Sequence, residues 1–136
     1  MNNEISAPGA GADSSSSLSA AMDWDRFSDV TGGDEETMRE LIELFYRQTT
    51  QQLSQIEAAL QAGNAGDVRR VAHSCAGASA TLGMVRLVPL LRTLEKQAAG
   101  GSLNEAPGLF QSAKNEFKQI QLFLATQPGL SSIQAP

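Results

Sequence analysis

His73 is the one histidine of the chain, in the run Arg69-Arg70-Val71-Ala72-His73-Ser74-Cys75-Ala76-Gly77. Projected on a helical wheel of roughly 100° per residue, Val68, Val71, Cys75, Ala78, Ser79 and Leu82 fall opposite it and form the predicted buried face. Arg69, Arg70, Ala76, Gly77, Ala80 and Gly66 fall on its own side, the predicted exposed face. An exposed imidazole is in good part neutral near pH 7, so one ring nitrogen keeps a lone pair for nucleophilic attack. Guanidinium groups one turn before it suit the oxygens of a phosphoryl group. Small residues one turn after it clear space around the ring. Glycine inside a helix costs about 1 kcal/mol relative to alanine, so Gly77 predicts that something approaches the helix closely there. Periodicity alone does not separate this reading from an ordinary surface histidine among tolerant positions.

Other chemistries fit less well. His73 and Cys75 are two residues apart and point to different sides of a helix, which argues against a metal pair or a Cys-His nucleophile. Cys75 reads as a small buried residue. No Gly-rich phosphate loop of the nucleotide-binding types is present, which excludes an independent kinase. The Met38/Phe45 and Leu109/Phe117 stripes read as core rather than as a cofactor pocket.

The elements that must position His73 follow from period and punctuation. Residues 1–20, rich in Ser, Gly and Ala, read as a flexible tail. Trp24 and Phe27 predict a short helix that lays two rings on something larger, and Gly32-Gly33 ends it. Asp34 is the expected cap of a long helix with Glu35 and Glu36 in its first turn. Its stripe of Met38, Leu41, Ile42, Phe45, Leu53, Ile56 and Leu60 runs to about Gln61, before Gly63. Asn64 is the expected cap of the histidine helix, which runs to about Leu82.

After Gly83 the next segment carries Met84, Leu87, Val88, Leu91, Leu94 and Ala98 and ends at Gly100-Gly101, and Pro89 suggests that its helix starts a few residues after Gly83. Leu82, Met84 and Leu87 are read mainly as core, with room for some apolar area on a partner surface. The last helix carries Leu109, Phe110, Ala113, Phe117, Ile120 and Leu124, and residues 128–136 read as a loose end. Four amphipathic helices joined by short turns must each bury one stripe. The predicted fold is therefore all-α: an antiparallel four-helix bundle over residues 22–127 with a short additional N-terminal helix.

Bulk properties agree with one packed domain. The chain has 136 residues, 41% hydrophobic and 18% charged, with a formal charge of −5. A net acidic chain argues against nucleic acid as the main partner. No apolar run of about 18 residues predicts a membrane span, and the N-terminus does not resemble a secretory signal. A single cysteine points to a reducing, cytoplasmic setting. A monomer is expected.

The run from Ala72 to Met84 resembles the signature of histidine-containing phosphotransfer (HPt) domains, which reads approximately A-H-x-L-K-G-x-S-x-x-x-G-A. The matches are Ala72, His73, Gly77, Ser79 and Gly83. Gly33-Asp34-Glu35, Leu44-Phe45, Gly66-Asp67 and Leu94-Glu95 fit the surroundings, and the resemblance extends over about residues 22–126. It implies a phosphocarrier rather than an enzyme, needing no cofactor of its own. His73 would accept a phosphoryl group from a receiver-domain aspartate and pass it to another receiver. The partner, a response-regulator receiver or a hybrid sensor histidine kinase, would supply Mg²⁺ and most of the catalytic groups. Gly77 would allow its close approach.

One departure stands out. The family usually carries lysine or arginine three residues after the histidine, and here that residue is Ala76. Arg69 and Arg70 are the sequence's candidates to compensate. The alternative reading is a degenerate module that binds a receiver without efficient phosphotransfer.

Overall fold

Asp34 and Asn64 both act as the predicted caps. Asp34 accepts from the Thr37 backbone N–H at 2.9 Å and from its hydroxyl at 2.6 Å. The hydroxyl bond first, then the backbone bond, holds the Asp34 carboxyl below its usual range. Asn64 accepts from the Asp67 N–H at 3.1 Å. The computed structural model describes residues 21–133, and the helices so capped are two of the five among the described residues. Helix α1 is Trp24–Thr31, α2 Glu35–Gln61, α3 Ala65–Thr81, α4 Leu87–Ala99 and α5 Ala106–Leu124. Among the described residues there is no strand. The predicted tail of residues 1–20 lies outside the described residues, as do residues 134–136.

Pairs of side chains fix the directions of α2 to α5. Gln97 donates to Glu105 beside the α4–α5 turn, and Arg86 at the start of α4 pairs with Glu116 in the middle of α5. Gln52 of α2 donates to Ser74 of α3, and His73 of α3 meets Glu95 of α4. Each pairing is antiparallel, and the bundle closes where α5 packs on α2. There the Phe117 ring stands edge-on to Phe45 and Tyr46, with centroids 5.8 and 5.9 Å apart. The interior is filled by Ile42, Ile56, Val68, Leu91, Leu94, Ile120 and Leu124 among others. This is the predicted four-helix bundle with its short N-terminal helix.

Helix α1 closes one end. Trp24 packs against Phe27 and edge-on to Phe123, the Asp23 N–H donates to the Gly83 carbonyl at 2.7 Å, and Arg26 Nε donates to the Ala80 carbonyl at 3.1 Å. Gly83 has φ +81°, and a Cβ there would sit 2.9 Å from the Asp23 carbonyl oxygen. Both the backbone conformation and the close approach therefore demand glycine.

One expectation is corrected. Residues 128–133 are not a loose end: Leu130 is buried in the core, and Arg39 Nη1 donates to the Gly129 carbonyl at 2.6 Å. The Arg39 contact ties the turn after α5 to α2, and Leu130 joins the hydrophobic core. Leu82, Met84 and Leu87 are all core, so none adds area to a partner surface; Val85 between them is 48% exposed instead. Among the described residues no helix is long and apolar enough to cross a membrane.

Candidate functional site

His73 sits in the middle of α3 with its side chain 66% exposed. The buried stripe of α3, from Val68 through Cys75 to Ser79, turns the imidazole outward as the wheel requires. Its Nδ1 lies 2.7 Å from Oε2 of Glu95, on α4. An ionised carboxylate can only accept, so Nδ1 carries the hydrogen, and in the neutral ring Nε2 keeps the lone pair. Nε2 is the ring nitrogen that Glu95 leaves uncontacted. The seam between α3 and α4 thus fixes both the tautomer and the direction of the free nitrogen.

Glu95 was not among the residues predicted to act. The signal was nonetheless present: α3 and α4 form a hairpin about the Gly83 turn, which brings a residue eleven before Met84 opposite one eleven after it. On α4 the buried stripe is Leu87, Leu91, Leu94 and Ala98, and Glu95 flanks that stripe. Its carboxylate is only 21% exposed. The other oxygen, Oε1, lies 3.5 Å from Nη1 of Arg92, one turn back on α4.

The predicted neighbours of His73 divide. Arg69 and Gly77 are exposed on its face, and Ala80 is half-buried two turns on. A Cβ placed on Gly77 would meet nothing within 4 Å, so the fold itself does not need glycine there. Arg70 is exposed but turns back to Asp67 at 3.5 Å, and lines a cleft with Gln55, Ala58 and Ala62 on the α2 side. Ala76 is corrected outright: it is fully buried. Helix α3 packs against α2 on one flank and, more extensively, against α4 on the other. Its buried arc is therefore wider than one stripe and takes in Ala72 and Ala76.

The remaining reactive groups lie elsewhere. Cys75 is buried on the opposite side of α3, and burial pushes its thiol up to about 11. Among the described residues no group of three His, Cys, Asp or Glu side chains stands close enough to hold a metal ion. The site is one outward imidazole, a carboxylate behind it, and cations at its edges.

A bundle carrying a single presented imidazole is the architecture of a histidine phosphotransfer module, and comparison with known proteins agrees. The family model described as Hpt domain matches residues 40–124. The crystal structure of histidine-containing phosphotransfer protein B (HptB) from Pseudomonas aeruginosa PAO1 superposes with a TM-score of 0.71 at 32% identity. That similarity covers 76% of this chain and 90% of the other. No curated protein sequence matches the chain. The chain belongs to the Hpt domain family, whose role is histidine phosphotransfer in phosphorelays.

Proposed function

We propose that this chain is a phosphorelay intermediate that accepts a phosphoryl group on Nε2 of His73 from a receiver-domain aspartate and passes it to another receiver. The observation that carries this reading is the 2.7 Å contact between Nδ1 of His73 and Glu95, which leaves the outer nitrogen as the nucleophile.

In the forward step the Nε2 lone pair attacks phosphorus. The N–P bond forms, the bond to the aspartyl oxygen breaks, and the aspartate leaves with that electron pair. The Nδ1 proton stays in place against Glu95. In the return step a receiver carboxylate attacks phosphorus and the N–P pair goes back to Nε2. The leaving group is then a neutral imidazole rather than an imidazolate, so the bond remains transferable. This chain supplies nucleophile and surface, while Mg²⁺ and most catalytic groups belong to the partner.

Gly77, Ala80 and Arg69 form the approach surface around the ring, with Arg70 at its edge and Ala76 as the small residue beneath it. The absence of a side chain at Gly77, with open space above it, supports close approach by a partner. The chain works as a monomer in the cytoplasm, the reducing compartment that suits an unpaired, buried Cys75.

The test is phosphotransfer from phosphorylated receivers, or from a hybrid kinase, to wild type and to His73→Gln. Wild type is expected to take up an acid-labile, base-stable label, and His73→Gln none. Ala76, where a cation would assist transfer, favours a second reading: a receiver-binding module that carries no phosphate. On that reading no donor labels the wild type, and His73→Gln binds its receiver normally.

A further inference from the structure

The hairpin of α3 and α4 brings more than Glu95 to the imidazole. With His73 opposite Glu95 and the two helices of the hairpin antiparallel, one turn back along α4 lies beside one turn forward along α3. Arg92 therefore comes alongside Ala76 and Gly77. The same register holds nearer the turn, where Ala80 and Val88 line one cleft. Nothing from α3 fills the space beside the ring on this side, because Ala76 ends at a buried methyl and Gly77 has no side chain.

Charge makes that position matter. A phosphoryl group adds a charge of about −1.5 to −2 near neutral pH, and on His73 it would stand close to the Glu95 carboxylate. Two anions in one partly shielded corner repel unless a cation lies between them. Arg92 Nη1 already rests 3.5 Å from Glu95 Oε1, while Oε2 is taken by the imidazole. A guanidinium offers five N–H donors in a rigid fork, enough to keep Glu95 and to donate to phosphoryl oxygens as well. The Arg92 side chain is 46% exposed, so it has freedom to swing outward. Arg70, by contrast, is turned towards Asp67 and the α2 side.

We propose that Arg92, delivered from α4, is the cation that binds the phosphoryl oxygens on His73, held ready by Glu95. This rests on the phosphotransfer reading and adds the residue that stabilises the phosphorylated state.

Phosphoramidate, a donor that needs no protein partner, tests it on the intact chain. Nε2 attacks phosphorus, the N–P bond to His73 forms, and the donor's own P–N bond breaks, with ammonia leaving. The rate of labelling is followed by ³¹P NMR for wild type, Arg92→Ala, Arg92→Lys and Lys118→Ala, the last removing an equal charge from α5. Arg92→Ala is expected to label about 10-fold more slowly, the loss of roughly one charge-assisted hydrogen bond. Arg92→Lys should recover most of the rate, and Lys118→Ala should match wild type.

In wild type the Arg92 Nε–H resonance should shift on phosphorylation, a change that a purely structural role would not produce. Labelling of Arg92→Ala at the wild-type rate with an unmoved Nε–H signal overturns the Arg92 assignment alone. Slow labelling that lysine does not restore, with a lowered melting temperature, also overturns it. No label on wild type from phosphoramidate or from any receiver removes the phosphotransfer reading, and this proposal with it.

Discussion

Oε2 of Glu95 lies 2.7 Å from Nδ1 of His73 although the two residues are 22 apart in sequence and sit on different helices. The contact orients a ring that would otherwise rotate freely above α3. Glu95→Gln keeps the shape and removes the charge. It is expected to slow phosphoryl uptake by about 10-fold, as the loss of one charge-assisted hydrogen bond would. Long-range ¹H–¹⁵N spectra of the imidazole should show a single Nδ1–H tautomer in wild type and a mixture in the variant. A single, unchanged tautomer in Glu95→Gln would remove Glu95 from the site.

Gly77 separates stability from function. It occupies the interior of α3 with open space above it. Gly77→Ala should therefore raise stability by about 0.5–1 kcal/mol through helix propensity alone. The same methyl should slow transfer from a receiver while leaving labelling by phosphoramidate nearly unchanged. Equal rates from both donors would mean that no partner surface comes close to this position.

Ala76→Lys does not simply add a cation. Ala76 is fully buried against neighbouring helices, and the added stem must be accommodated in a packed seam. The expected cost is about 1–3 kcal/mol, read as a lower urea midpoint at unchanged slope. A variant as stable as wild type would show that the seam between α3 and α4 yields.

Alkaline pH should weaken the fold before it affects the site. Burial pushes the Cys75 thiol up to about 11 and the Tyr46 phenol up to about 12, from ordinary values near 9 and 10. In each case the folded chain keeps a proton that the unfolded chain releases. The stabilising effect is thus complete below about pH 9 and is lost as pH rises towards 12. Denaturant midpoints should fall across that window. At pH 8 a thiol reagent should find about 100-fold less thiolate than in an ordinary cysteine, and should react readily only after unfolding.

The segment after α5 should prove part of the domain. Leu130 is buried and the Gly129 carbonyl is held by Arg39. Leu130→Ala is expected to cost about 2–5 kcal/mol, the usual range for a buried leucine that leaves a cavity. A melting temperature equal to that of wild type would restore the view of a loose end.

Much of this protein was legible in its residues. Period 3.6 stripes, Asp34 and Asn64 as caps, and glycines after the long helices determined the five helices of the described residues and several of their limits, because these are local effects of backbone and side-chain chemistry. The outward direction of His73 followed from the apolar residues opposite it. The number of neighbours that each helix acquires is not local. Tertiary packing buried Ala76 under the α3–α4 seam and drew Leu130 into the core. It also carried Glu95, with Arg92 beside it, to a histidine on another helix, since hairpin register, rather than the sequence around His73, decides which side chain from α4 meets the ring.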